Sequence, residues 1–117
     1  MTKTYNAYLR DILRECDDIA AFTTNGQVAF SQDLKTQKAV IRSYEVIGEI
    51  CKRLAPEIRD SNPQIDWRKL INFRDFLAHN YESIILRYIW DAVTDLPTLR
   101  AAIEALLASL PPDADAS

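Results

Sequence analysis

Histidine occurs once in the 117 residues, as His79, and cysteine twice, as Cys16 and Cys51. One imidazole leaves no Cys/His ligand set for a zinc centre, and within a single chain it leaves no histidine pair to divide acid from base. The two cysteines have no metal-ligand spacing around them and sit on the apolar sides of expected helices, so both read as packing residues rather than a disulfide. No apolar run approaches the roughly 18 residues that cross a bilayer, and the opening MTKTYNAYLR has no apolar stretch of the secretory kind. The expectation is a cytoplasmic protein with no membrane partner. Positive charge is also in short supply: 14 Lys and Arg stand against 17 Asp and Glu, for a net charge of −3. That balance argues against a protein that coats nucleic acid. Period-two alternation and internal repeats are absent too, which disfavours a sheet or a solenoid.

What remains is helical spacing. Tyr5, Tyr8, Leu9, Ile12, Cys16 and Ile19 recur at three and four, predicting a first helix over about Thr4 to Phe22. Asn25-Gly26 stops it. Ser31 suits an N-cap for a long second helix over about Gln32 to Leu54, ended by Pro56. Asp66 caps a third helix that opens with Trp67, Arg68 and Lys69. A fourth is expected from about Ser83 to Val93, and Asp95 with Pro97 reads as the start of a fifth that ends at Pro111-Pro112. The fold class is therefore all-α, an up-and-down bundle of four to five helices. Residues 1–110 form one domain, and the acidic tail 111–117, with nothing to bury, is expected to be disordered.

The third helix carries Arg74-Asp75-Phe76-Leu77-Ala78-His79-Asn80-Tyr81, a guanidinium, a carboxylate, the sole imidazole and a phenol within eight residues. Arginine holds a phosphate bidentately and stabilises charge developing on it, and histidine moves protons near neutral pH. The combination suits phosphoryl chemistry, including attack of a 2′-hydroxyl on its own phosphodiester. Lys52, Arg53, Arg59, Arg68 and Lys69 precede the motif and outnumber Glu57, Asp60 and Asp66, so a local phosphate groove is expected, with Arg68 and Lys69 as candidate contacts. At about 100° per residue, Arg74 and Tyr81 share a face and Asp75 lies near His79, where it can orient the ring. Arg74 and His79 lie roughly 140° apart, so either the helix is distorted or a second surface completes the site. A second copy of the chain across a twofold axis supplies that surface and a second imidazole. The competing reading of the same residues is structural: Arg74 in a surface ion pair, His79 at a helix end and Tyr81 packing its ring.

The spacing of Arg74, His79 and Tyr81 resembles the signature of the HepT toxins, members of the HEPN superfamily of helical ribonuclease domains. The likeness extends to Tyr8-Leu9-Arg10-Asp11-Ile12-Leu13, Ala39-Val40-Ile41-Arg42 with Ile47-Gly48-Glu49, Ile65-Asp66-Trp67-Arg68, and Trp90 to Pro97, in that order. The resemblance implies a homodimeric, metal-independent endoribonuclease toxin without cofactor, acting on RNA and paired with an MNT-type nucleotidyltransferase antitoxin. By position, Arg74 and His79 match the catalytic pair, Asp75 the polar residue after the arginine, and Tyr81 the tyrosine that the antitoxin modifies with AMP. Aspartate stands at 75 where asparagine is common, and asparagine at 80 where a small residue is common. The alternative function is a non-catalytic helical partner or substrate subunit of a nucleotidyltransferase.

Overall fold

The computed structural model describes residues 3–80 and 85–112. Expectations placed on Tyr81, on Ser83 and Ile84, and on Asp113 to Ser117 lie outside the described residues. Six helices and no strand occur among the described residues: α1 (Tyr5–Phe22), α2 (Gly26–Gln32), α3 (Leu34–Arg53), α4 (Pro56–Asp60), α5 (Trp67–His79) and α6 (Leu86–Ser109). The four long ones, α1, α3, α5 and α6, make the expected all-α bundle. The central element is α3, which packs against both α1 and α5, while α1 also packs against α6.

Local chemistry sets most boundaries. The Thr4 hydroxyl accepts from the Ala7 amide at 3.1 Å and caps α1. At the other end, the hydroxyls of Thr23 and Thr24 turn back to donate to the carbonyls of Ile19 and Ala21, at 2.8 and 3.0 Å. Gly26 follows with φ +90°, a left-handed conformation that other L-residues rarely adopt.

Two boundaries differ from the periodic reading. Ser31 does not cap α3; it lies inside α2, where its hydroxyl donates to the Val28 carbonyl at 2.8 Å. Asp33 is the cap. One carboxylate oxygen accepts from the Lys35 amide at 3.1 Å and the other from the Thr36 hydroxyl at 2.6 Å, two bonds where a serine hydroxyl offers fewer acceptors. The Thr36 hydroxyl is also the main reason the Asp33 carboxyl titrates below its usual range. The segment before it is helical because Phe30 is buried against Trp90, with ring centroids 5.4 Å apart.

The second difference is at Pro97, which does not start a helix but lies within the continuous α6. A proline inside a helix removes one backbone bond and costs about 3 kcal/mol. Ile89, Leu96, Ile103 and Leu106 repeat along one face of α6 and all are buried. Burial of each such side chain contributes roughly 1.5 to 3 kcal/mol, and splitting the helix at Pro97 would move part of that face out of the core. Packing therefore outweighs the local preference. Arg100 further ties α6 to α1 through Asp17, at 2.8 Å.

Cys16 and Cys51 are fully buried free thiols, as their positions on the apolar faces predict. Burial pushes both thiols up to about 12. No helix among the described residues is long and apolar enough to cross a membrane.

Candidate active site on the fifth helix

α5 is anchored at its start. The Asp66 carboxylate accepts from the Lys69 amide at 3.0 Å, and the Trp67 indole N–H donates to the Asn62 carbonyl at 3.0 Å. Trp67 and Leu77 are buried, so both ends of the helix are fixed to the core. Its C-terminus is closed by Asn80, whose amide and side-chain nitrogen both donate to the Phe76 carbonyl, at 3.0 and 2.8 Å. The helix is continuous through His79. Distortion of the helix is therefore not what the structure shows between Arg74 and His79.

Arg74 lies where α5 crosses α3 at close range. A methyl group placed on Gly48 of α3 would sit 2.2 Å from Arg74 Cβ and 2.9 Å from the Leu70 carbonyl oxygen, so only glycine permits this approach. The Arg74 guanidinium meets two carboxylates: Nη1 is 3.0 Å from Asp75 Oδ1 and Nη2 is 3.4 Å from Glu49 Oε2. Each acid has a second cation, with Lys52 Nζ 3.9 Å from Asp75 and Arg53 Nε 3.5 Å from Glu49. The result is an alternating row, Arg53, Glu49, Arg74, Asp75, Lys52, with one positive charge in excess. A phosphodiester carries one negative charge, so the row is complementary to one such group.

His79 is exposed, and its Nδ1 lies 2.7 Å from the main-chain carbonyl oxygen of Asp75. A carbonyl oxygen only accepts, so Nδ1 carries the proton and Nε2 bears the free lone pair in the neutral ring. Asp75 thus orients the imidazole through its backbone, while its carboxylate is engaged by Arg74 and Lys52.

Arg68 and Lys69 are exposed on the first turn of α5 but do not join Arg74. They line a groove of about 920 Å³ between α5 and α6, together with Tyr44, Phe73, Phe76 and Tyr88, and Lys69 Nζ lies 3.9 Å from Asp95. Arg74 opens instead into a smaller cavity of about 450 Å³ beside α1 and α3. The periodic reading missed Gly48 and Glu49 as neighbours of Arg74. Their one signal was the family-like run Ile47-Gly48-Glu49.

These features define an all-helical domain that presents an arginine and a histidine on one helix. The family described as "Ribonuclease HepT-like" matches residues 12–106, and the chain belongs to it. It is a HepT-like ribonuclease of the HEPN type. Its relatives include a Methanocaldococcus jannaschii protein provisionally named RNase MJ0127, 45% identical over 78% of this chain and 76% of that protein. A "Probable ribonuclease HepT" from Thermococcus cleftensis is 36% identical over 91% of this chain and 98% of its own length. A provisionally named RNase of Caldanaerobacter subterraneus subsp. tengcongensis is 31% identical over 90% of this chain and 96% of its own. No solved structure matches the chain.

Proposed function

We propose that the chain is the toxin of a HepT/MNT-type pair, a metal-independent endoribonuclease that works as a homodimer. The observation that carries this reading is the pairing of the His79 ring with the Asp75 carbonyl, which leaves Nε2 as a ready proton acceptor on the helix that holds Arg74. In the reaction, Nε2 of one His79 takes the proton of an RNA 2′-hydroxyl as its oxygen attacks the adjacent phosphorus. The imidazolium of the second copy's His79 gives a proton to the departing 5′-oxygen. Arg74 neutralises the charge that builds on the non-bridging oxygens. The products are a 2′,3′-cyclic phosphate and a 5′-hydroxyl, and one proton has passed in at one ring and out at the other.

The groove between α5 and α6, separate from the cavity into which Arg74 opens, suits the second copy. Its floor is apolar, with Tyr44, Phe73 and Leu99, and its lips carry Arg68 and Lys69 on α5 against Asp91 and Asp95 on α6. A twofold axis sets the basic lip of one copy on the acidic lip of the other. In this reading Arg68 and Lys69 serve the interface as well as any RNA that reaches its edge. Neutralisation follows from AMP transfer to Tyr81 by the cognate nucleotidyltransferase, which adds a charged, bulky group.

A second reading, a non-catalytic partner or substrate of a nucleotidyltransferase, draws on the two carboxylates that already occupy Arg74. Incubating the purified chain with RNA in excess chelator separates the two. Cleavage that Arg74→Ala and His79→Ala abolish supports the nuclease. Intact RNA with a chain that is still modified by its partner supports the second reading.

A further inference from the structure

We infer that Glu49 is the positioning residue for Arg74, an inference that rests on the nuclease reading of the motif. Arg74 has two carboxylate partners, and they are not equivalent. Asp75 is its neighbour on α5 and reaches α3 only at second hand, through Lys52 at 3.9 Å. Glu49 belongs to α3, the central helix, and its contact with Nη2 at 3.4 Å ties the guanidinium to that helix directly. Glu49 is itself held, because Arg53, one turn later on α3, approaches it at 3.5 Å.

Gly48 supplies the second, independent observation. The absence of a side chain there brings the Arg74 backbone against α3, and any Cβ would collide with Arg74 Cβ, which cannot rotate away. Gly48 sets how close Arg74 stands, and Glu49, the next residue, sets where its fork points. The guanidinium has five N–H donors, and with Nη2 beside Glu49 and Nη1 bound to Asp75 further donors remain for a phosphate. An ordinary surface pair between two helices would leave catalysis unchanged when cut, since such pairs contribute little to stability.

The test compares Glu49→Ala and Glu49→Gln in the full chain, with RNA cleavage kinetics, thermal melting and nitrogen-15 spectra of the arginine side chains. In the parent, the Nη signals of Arg74 are expected to be resolved by hindered rotation, and in Glu49→Ala they average. Glu49→Ala is expected to lower kcat about tenfold with KM nearly unchanged, since small misplacements of a charge-stabilising group are costly in rate. Glu49→Gln keeps an acceptor oxygen and is expected to return kcat to within about threefold of the parent. Parental kcat in Glu49→Ala overturns the inference, as does a loss of activity that Gln fails to rescue and that tracks a fall in melting temperature. If the parent cuts no RNA, the nuclease reading fails, and the spectra then decide the positioning alone: averaged Nη signals in the parent overturn it.

Discussion

The imidazole of His79 is held by the backbone of Asp75, with Nδ1 2.7 Å from the carbonyl oxygen one helical turn before it. The side chain of Asp75 is thereby released to Arg74 and Lys52. Asp75→Asn is therefore expected to leave His79 in the Nδ1–H tautomer, read directly from its ring nitrogen shifts. A switch to the Nε2–H form would show that the carboxylate governs the ring after all. His79→Ala removes the base and lowers cleavage by about two to four orders of magnitude. Because the ring is exposed, the melting temperature is expected to stay close to the parent's.

Stability should respond at other positions. Gly48→Ala forces α5 away from α3 and is expected to cost about 1 to 3 kcal/mol through overpacking. Trp67→Ala and Leu106→Ala delete buried side chains and are expected to cost roughly 2 to 5 kcal/mol each. Urea unfolding checks all three, and a Gly48→Ala chain as stable as the parent would mean that the helices part without penalty.

The buried thiols give a pH dependence of known sign. Cys16 and Cys51 ionise near 9 in the unfolded chain and are pushed up to about 12 by burial in the folded one. Below pH 9 both states hold the protons and nothing changes. Between 9 and about 12 the unfolded state binds fewer protons, so stability falls as pH rises through that window. The slope is expected to be shallower when both cysteines are replaced by alanine. In the same vein, the native thiols resist a thiol reagent at pH 8 and react on unfolding.

Tyr81→Phe keeps the ring and removes the oxygen proposed to accept AMP. Co-expressed with the cognate nucleotidyltransferase, the parent chain is expected to gain the mass of one or more AMP groups and lose toxicity. The Phe variant gains none and stays toxic. An unmodified parent that is nonetheless neutralised would point to capping by contact alone.

What is legible in the sequence depends on the range of the interaction involved. Short-range chemistry was legible: the Thr4 to Phe22 helix, the Asn25-Gly26 stop and the Asp66 cap each depend on residues a few positions apart. Ser31 misled because two capping candidates stand two residues apart, and the choice of Asp33 rests on Phe30 docking on Trp90, sixty residues away. Pro97 misled for the same reason, since the face that carries the helix past it is anchored by other helices. Within the site, the spacing of Arg74 and His79 was readable as a motif with a fixed angular offset. The Gly48 and Glu49 contacts were not, because nothing in a helical period says which turn of α3 meets which turn of α5.

The central claim is that Arg74 and His79 cut RNA by 2′-hydroxyl attack. Its most direct test is analysis of the ends produced when the purified chain acts on a defined RNA in excess chelator, beside the His79→Ala chain. The parent is expected to give 2′,3′-cyclic phosphate and 5′-hydroxyl ends, and the variant to leave the RNA uncut. Ends bearing 3′-hydroxyl and 5′-phosphate, or equal cleavage by the two chains, would contradict it.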